Sequence, residues 1–328
     1  MIIGARNAIE AYLNVKENEK VLIITDKETL DIGKAFEDAA KKKTNNVNLL
    51  ILEDYGKRPL KLPLELKKKI LDSDVILFAA KKKFNKISEL STLRKPIRLL
   101  CYHNNKRYAI MPGITKEIME QGMSVNPKEI QEFSNKIYKI VKNCKKIKVK
   151  TALGTNIITK FNPKLKWVNS DGNITKPAQE NLPGAEVYTC PYSVNGKFIV
   201  DGVIGDYFTE KYGFLDKTPI IIEIKDSRAV DIKCSNKKLE KEFTNYLKKK
   251  DGNRVGEFAF GTNIGLKKMI GNLLQDEKFP GCHIAFGNPY PEKTNADWKS
   301  DIHIDCIIKN PTIFIDNKKI MEKGKYEI

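Results

Sequence analysis

The sequence predicts an α/β N-terminal domain with a parallel sheet, followed by a β-rich α+β C-terminal domain. Three observations carry this. The first hundred residues alternate short apolar runs with amphipathic stretches, and from about residue 147 strand-like segments follow one another with turn residues between them. A chain of 328 residues also exceeds the usual 100–200 residues of one domain. The boundary is expected near residue 110, giving an open-sheet domain over 1–110 and a β-rich domain over 111–328.

In order, EKVLIITD (19–26) reads as a buried strand and TLDIGKAFEDAAKKK (29–43) as a helix with apolar positions at helical spacing. VNLLILE (47–53) is a second strand, LPLELKKKILDS (62–73) a second helix and VILFAA (75–80) a third strand. IRLLCYH (97–103) is expected as a fourth strand. Continuous apolar strands between amphipathic helices belong to a parallel sheet covered on both faces. The stretch 116–146 is helical with a break at Asn126-Pro127. Strands then dominate: KIKVKTAL, GTNIITKF, AEVYTC, KFIVDGVIG and PIIIEIKDSRAVDIKC. Helices are expected at 237–249 and 265–276, and a closing hairpin turns at Asp316-Asn317.

Composition excludes several classes. The chain is 41% hydrophobic and 30% charged, ordinary for a globular protein. No window reaches the roughly 18 unbroken apolar residues of a membrane span, and Arg6 and Glu10 interrupt the start before any signal core. A cytoplasmic address and no membrane partner are the expectation. The net charge of +18 invites a nucleic-acid reading, but only seven of the 59 basic residues are Arg. Lysine spread over every segment, including KKK triplets at 41–43, 67–69, 81–83 and 248–250, is the mark of a solvated surface rather than of phosphate forks. Nucleic acid is therefore not the expected partner. The six cysteines lack any CxxC pair, so they are expected as small buried hydrophobes rather than disulfides or zinc ligands. GxGxxG and GxxxxGK[ST] are both absent. Asp26 and Glu53, at strand ends of the first domain, are expected as turn and cap residues, with ligand binding the alternative.

The chemistry concentrates late in the chain. In SDIHIDCII, strand alternation puts Asp301, His303, Asp305 and Ile307 on one face and Ile302, Ile304, Cys306 and Ile308 on the other. An imidazole and a carboxylate side by side suit a divalent metal, and they equally suit a His–Asp hydrogen bond on a polar face. His283 in GCHIAFG is likewise opposed by Cys282, Ile284 and Phe286. Glu186 and Glu257 each sit within apolar strands. Such acids either face solvent or are buried, and burial requires a partner or a metal. Two Glu, two His and one Asp suffice for a pair of divalent ions sharing carboxylates.

Five segments together resemble the thermophilic aminopeptidase T (leucyl aminopeptidase) family of metallopeptidases. They are MPGIT (111–115), LPGAEVYTCP (182–191), VGEFAFGTN (255–263), the stretch from DEK to HIAFG (276–287) and SDIHID (300–305). With the α/β start, the resemblance covers nearly the whole chain. It implies that Glu186, Glu257, His283, His303 and Asp305 are the ligands of a two-metal centre and that Glu277 is a further ligand; mixed carboxylate and imidazole ligation suits Zn, Co or Mn. It also implies that Tyr290 and Glu186 act in catalysis, that the substrates are small peptides cut at the N-terminus, and that the chain is a homodimer.

A second function stays open. Two His and one carboxylate also form the facial triad of mononuclear Fe(II) oxygenases. Relatives of this family resemble ring-cleaving dihydroxypyridine dioxygenases, in which His283, His303 and Asp305 would hold one iron. His103 is expected in a hydrogen bond between domains. Arg107 is expected either against substrate or as a tie between domains.

Overall fold

The computed structural model describes residues 1–56, 58–82 and 90–328. Lys83, the last residue of the 81–83 triplet, lies outside them. Two compact units emerge: residues 1–131 with 172–184, and residues 132–171 with 185–328.

The first unit is built on a five-stranded parallel sheet. Val21–Thr25 pairs with Val47–Ile51 on one side and with Val75–Ala79 on the other. The sheet continues through Arg107–Ile110 to Gln179–Asn181. Val21–Thr25 and Val75–Ala79 are buried along their whole length, as central parallel strands must be. The helix Leu30–Lys41 buries Ile32, Gly33, Phe36 and Ala40 on one face. Asp26 starts this segment. Its carboxylate accepts from the Thr29 amide and hydroxyl and from Arg58 and the Lys81 amide. Glu53 accepts from the Lys27 amide. Both acids therefore act in turns and caps.

The segment IRLLCYH is not a strand. It lies in the helix Lys95–His103, which buries Ile97 and Cys101 one turn apart and leaves Leu99 exposed. Pro96 sits in the first turn of that helix, where its missing N–H costs nothing. A run of apolar residues fits either period, and here four-residue spacing wins. The fourth strand is instead Arg107–Ile110. His103 ends the helix exposed, edge-on to Tyr102. Arg107 is buried, paired with Glu19 and donating to the Leu13 carbonyl, so it ties down the N-terminal segment of its own unit.

The second unit contains an eight-stranded and a five-stranded sheet, both antiparallel in the registers of their neighbours. In the larger sheet, Ile147, Val149, Ile157 and Phe198 point inward while the flanking lysines stay out. These residues share one core with Val187, Phe258, Phe260, Ile284, Phe286, Ile304 and Cys306 of the smaller sheet. Asp316 and Asn317 both adopt left-handed conformations, as a two-residue hairpin turn between Thr312–Ile315 and Lys318–Glu322 requires. All six cysteines are free and buried.

The helix expected over 265–276 is mostly loop, with helix only at Leu273–Asp276. Gly271 takes a positive φ of 73°, and the Asp276 carboxylate accepts from the amides of Ile270, Gly271 and Asn272. A side chain that satisfies these amides stabilises a tight loop in place of a helix. Among the described residues, no helix is long and apolar enough to cross a membrane.

Candidate metal centre

The site lies on the face of the five-stranded sheet opposite the core. Each ligand strand alternates: Val187, Phe258, Ile284 and Ile304 enter the core, while their neighbours Glu186, Glu257, His283 and His303 take the other face. Pairing then sets the rows. Gly261 lies opposite Glu186, Ala259 lies between Tyr188 and His283, and Ala285 lies between Glu257 and Asp305. Small residues in these positions leave room between the long ligand side chains.

One irregularity makes the arrangement possible. The register between Val255–Gly261 and Gly281–Gly287 shifts between Val255 and Glu257. Strict alternation would put Val255 and Glu257 on the same face, but the extra residue sends Val255 into the core and Glu257 into the site. Gly256 sits at the bulge, where a Cβ would lie 2.0 Å from the Gly287 carbonyl oxygen.

Two ligand groups result, each with its donor atoms within 4.8 Å of one another: Glu186, Glu257 and His283, and Glu257, His303 and Asp305. Glu257 belongs to both. His283 Nε2 lies 3.0 Å from Glu186 Oε1, 3.4 Å from Glu257 Oε1 and 3.9 Å from Asp305 Oδ1. His303 Nδ1 is 2.8 Å from the Asn288 carbonyl oxygen, so a proton there donates to that carbonyl. The same contact turns Nε2 toward Asp305, 3.1 Å away. A backbone anchor on one nitrogen orients the other for ligation.

Glu277 lies outside both groups. It pairs with Lys278 at 2.8 Å, and Lys278 also reaches Glu186 at 2.7 Å. Tyr290 stands beside the second group, its ring centroid 4.7 Å from that of His303 and 6.4 Å from that of Tyr188. It holds a left-handed backbone at φ 52°, a conformation unfavourable for a bulky residue and concentrated at functional sites.

The electrostatics are those of carboxylates crowded out of water. Burial opposes the charge on His283, but the Glu186 and Glu257 carboxylates outweigh it and raise the imidazole to about 10. For His303, burial is likewise overcome, chiefly by Asp305, again to about 10. Burial pushes Glu257 above the carboxylate range and Glu277 up to about 8. Glu186 goes the other way: Lys278 and His283 overcome its burial and hold it down to about 2.

The donor set fits divalent cations. His283 Nε2 is buried and has no hydrogen-bond partner, although Glu186 lies at 3.0 Å, so the contact is close but out of line. A buried nitrogen aimed among three carboxylates without a proper hydrogen bond is the arrangement of a ligand, and mixed carboxylate–imidazole sets suit Zn, Co or Mn. Lys278 and Tyr188 are the site-lining residues that composition and spacing did not single out. Lys278 was visible only as the last letter of the DEK stretch, and Tyr188 only by its parity with Glu186.

Two solved structures share the fold along nearly the full length of both chains. AmpT from Thermus thermophilus is 16% identical with a TM-score of 0.71, covering 100% of this chain and 98% of that one. 2,5-Dihydroxypyridine dioxygenase from Pseudomonas putida KT2440 is 14% identical with a TM-score of 0.67, covering 99% of this chain and 96% of that one. At such identities the likeness is one of fold. No curated protein matches the chain. The model of a family described as thermophilic metalloprotease (M29) matches residues 126–326, more than half of the chain and the segment that carries all seven predicted site residues. The chain belongs to the M29 family of thermophilic metalloproteases.

Proposed function

We propose that this metallopeptidase is an aminopeptidase that removes N-terminal residues from small peptides at a two-metal centre. One observation carries the reading: Glu257 is common to two ligand groups on one sheet face, the arrangement expected of two neighbouring ions with a shared carboxylate. Membership of the M29 family and the fold shared with AmpT support it.

Glu186, Glu257 and His283 would hold one divalent ion, and Glu257, His303 and Asp305 the other. Glu277 remains a candidate additional ligand. Bound there, such ions bring a water's pKa toward neutrality, polarise the scissile carbonyl and receive the substrate's free α-amine. The proton leaves to a carboxylate of the cluster, Glu186 or Glu257, and passes to the departing amine. Tyr290, beside His303, donates a hydrogen bond to the tetrahedral oxyanion. A homodimer in the cytoplasm remains the expectation for its assembly and location.

A second reading has its own observation: Asp305 Oδ1 lies within 3.1 Å of His303 and 3.9 Å of His283. Two imidazoles around one carboxylate also suit a single Fe(II), and the fold shared with the dioxygenase supports this alternative. Metal analysis of protein purified without chelator separates the two. Two zinc, cobalt or manganese ions per chain with release of p-nitroaniline from leucine p-nitroanilide is the expected result. One iron per chain with oxygen uptake and no peptide cleavage would overturn the aminopeptidase.

A further inference from the structure

Hydrolysis as described leaves one charged group of the cluster unused. Lys278 is 1% exposed, and lysine is among the residues least often buried. Its Nζ lies between Glu186 Oε2 at 2.7 Å and Glu277 Oε1 at 2.8 Å. The backbone fixes the point from which it enters. The Lys278 amide donates to the Gln275 carbonyl, and its own carbonyl accepts from the Asn263 amide. At Gly261, directly beneath, a Cβ would sit 2.8 Å from the Lys278 carbonyl carbon and 2.0 Å from the Phe279 oxygen.

This geometry divides the two ligand groups. Glu186 turns Oε1 toward His283 Nε2 and commits Oε2 to the ammonium. An ion held by Glu186, Glu257 and His283 therefore meets a carboxylate already half-occupied, with a fixed positive charge behind it. Neither Glu257 nor Asp305 lies within ion-pair distance of a lysine or arginine among the described residues. Charge points the same way. In the state that ligation requires, with carboxylates deprotonated and imidazoles neutral, Glu186, Glu257, Glu277 and Asp305 against Lys278 make the cluster strongly negative. One divalent ion nearly neutralises it, and a second drives it positive.

We propose that Lys278 is an internal counter-ion that makes the two metal sites unequal. The ion at Glu257, His303 and Asp305 is the tight one, and the ion at Glu186, Glu257 and His283 is the exchangeable one. Lys278 is then a positioning residue: it acts through Glu186, limiting it to one ligand oxygen. The inference rests on the two-ion reading of the site.

The test is titration of the metal-stripped full-length protein with Zn²⁺, read by calorimetry and by histidine resonances in NMR. In the wild type, two ions bind in classes separated at least tenfold, and the His303 ring responds to the first equivalent, the His283 ring to the second. Lys278→Met and Lys278→Gln remove the charge and tighten the weaker class at least tenfold, while Lys278→Arg preserves the gap. An unchanged gap in the neutral variants overturns the proposal. So does a wild type with a single class, or one in which His283 responds first, and these two readings need no variant to fold. If leucine p-nitroanilide is not cleaved but the classes and their shift appear, the aminopeptidase reading fails and the role of Lys278 stands. If cleavage requires two ions and the neutral variants leave the weaker class in place, the role of Lys278 fails alone.

Discussion

Replacing Glu257 by Gln reaches both ligand groups at once, because Glu257 is the only residue that the two groups share. Each group then falls from two carboxylates and an imidazole to one carboxylate, one imidazole and a weakly donating amide. Loss of a partner outside the coordination sphere typically lowers metal affinity 10–100-fold, so loss of a ligand itself is expected to exceed a hundredfold per ion, about 2.8 kcal/mol. The swap preserves shape, and Glu257 is only 4% exposed, with its carboxyl already pushed toward the neutral form by burial. The metal-free fold is therefore expected to tolerate it. Dialysis against free Zn²⁺ at about ten times the weaker wild-type Kd, followed by atomic absorption, should find close to two ions per wild-type chain. Under the same conditions occupancy of the weaker site in Glu257→Gln should fall to about one-tenth. Glu186→Gln and Asp305→Asn, each touching one group, should each compromise a single ion. A Glu257→Gln protein that keeps both ions at this concentration, or that keeps wild-type Zn²⁺ affinity at either site, would refute the shared-carboxylate arrangement.

Further outcomes follow from the same structure. Tyr290→Phe should lower kcat about 10²–10³-fold while metal content stays unchanged, since it removes one oxyanion donor; wild-type kcat in that variant would make Tyr290 a packing residue. Chelation should lower the thermal transition measured by calorimetry. An ion present at a thousand times its Kd contributes about 4 kcal/mol, or about 8–16 °C in a domain of 150–250 residues, and an unmoved transition would argue against a structural metal contribution. Gly256→Ala places a Cβ against the Gly287 carbonyl; it should cost about 1–3 kcal/mol and reduce metal occupancy through Glu257, with circular dichroism and metal analysis reading the two effects separately. Asp26→Ala, which removes a helix cap and the carboxylate paired with Arg58, should destabilise the first unit by at least about 1 kcal/mol and leave metal content unchanged. Metal loss in that variant would count against this expectation.

Much of this was legible in the chain because it depends on local periodicity. The wholly apolar runs at 21–25 and 75–79 could be satisfied only by burial on both faces, and a parallel sheet provides that. Alternation alone separated His303 and Asp305 from Ile304 and Cys306, and His283 from Cys282 and Ile284. The Asp316-Asn317 turn followed from residues that tolerate left-handed backbone. Where two periods fit equally, as in IRLLCYH, or where side-chain hydrogen bonds replaced a helix, as around Asp276, local pattern pointed the wrong way.

Sequence by itself determined that His283, His303 and Asp305 lie opposite the core, because that choice is made within five or six residues of strand. Tertiary structure decided which of them meet. Glu186, Glu257, His283 and His303 are far apart along the chain and become neighbours only through strand register. The bulge at Gly256 that turns Glu257 into the site is invisible to a strict two-residue repeat. The same holds for Lys278, whose place between two carboxylates follows from a loop folded over Gly261. The physical reason is one of range: side-chain parity is a property of neighbouring peptide units, whereas ligand distances depend on hydrogen bonds between segments separated by most of a domain.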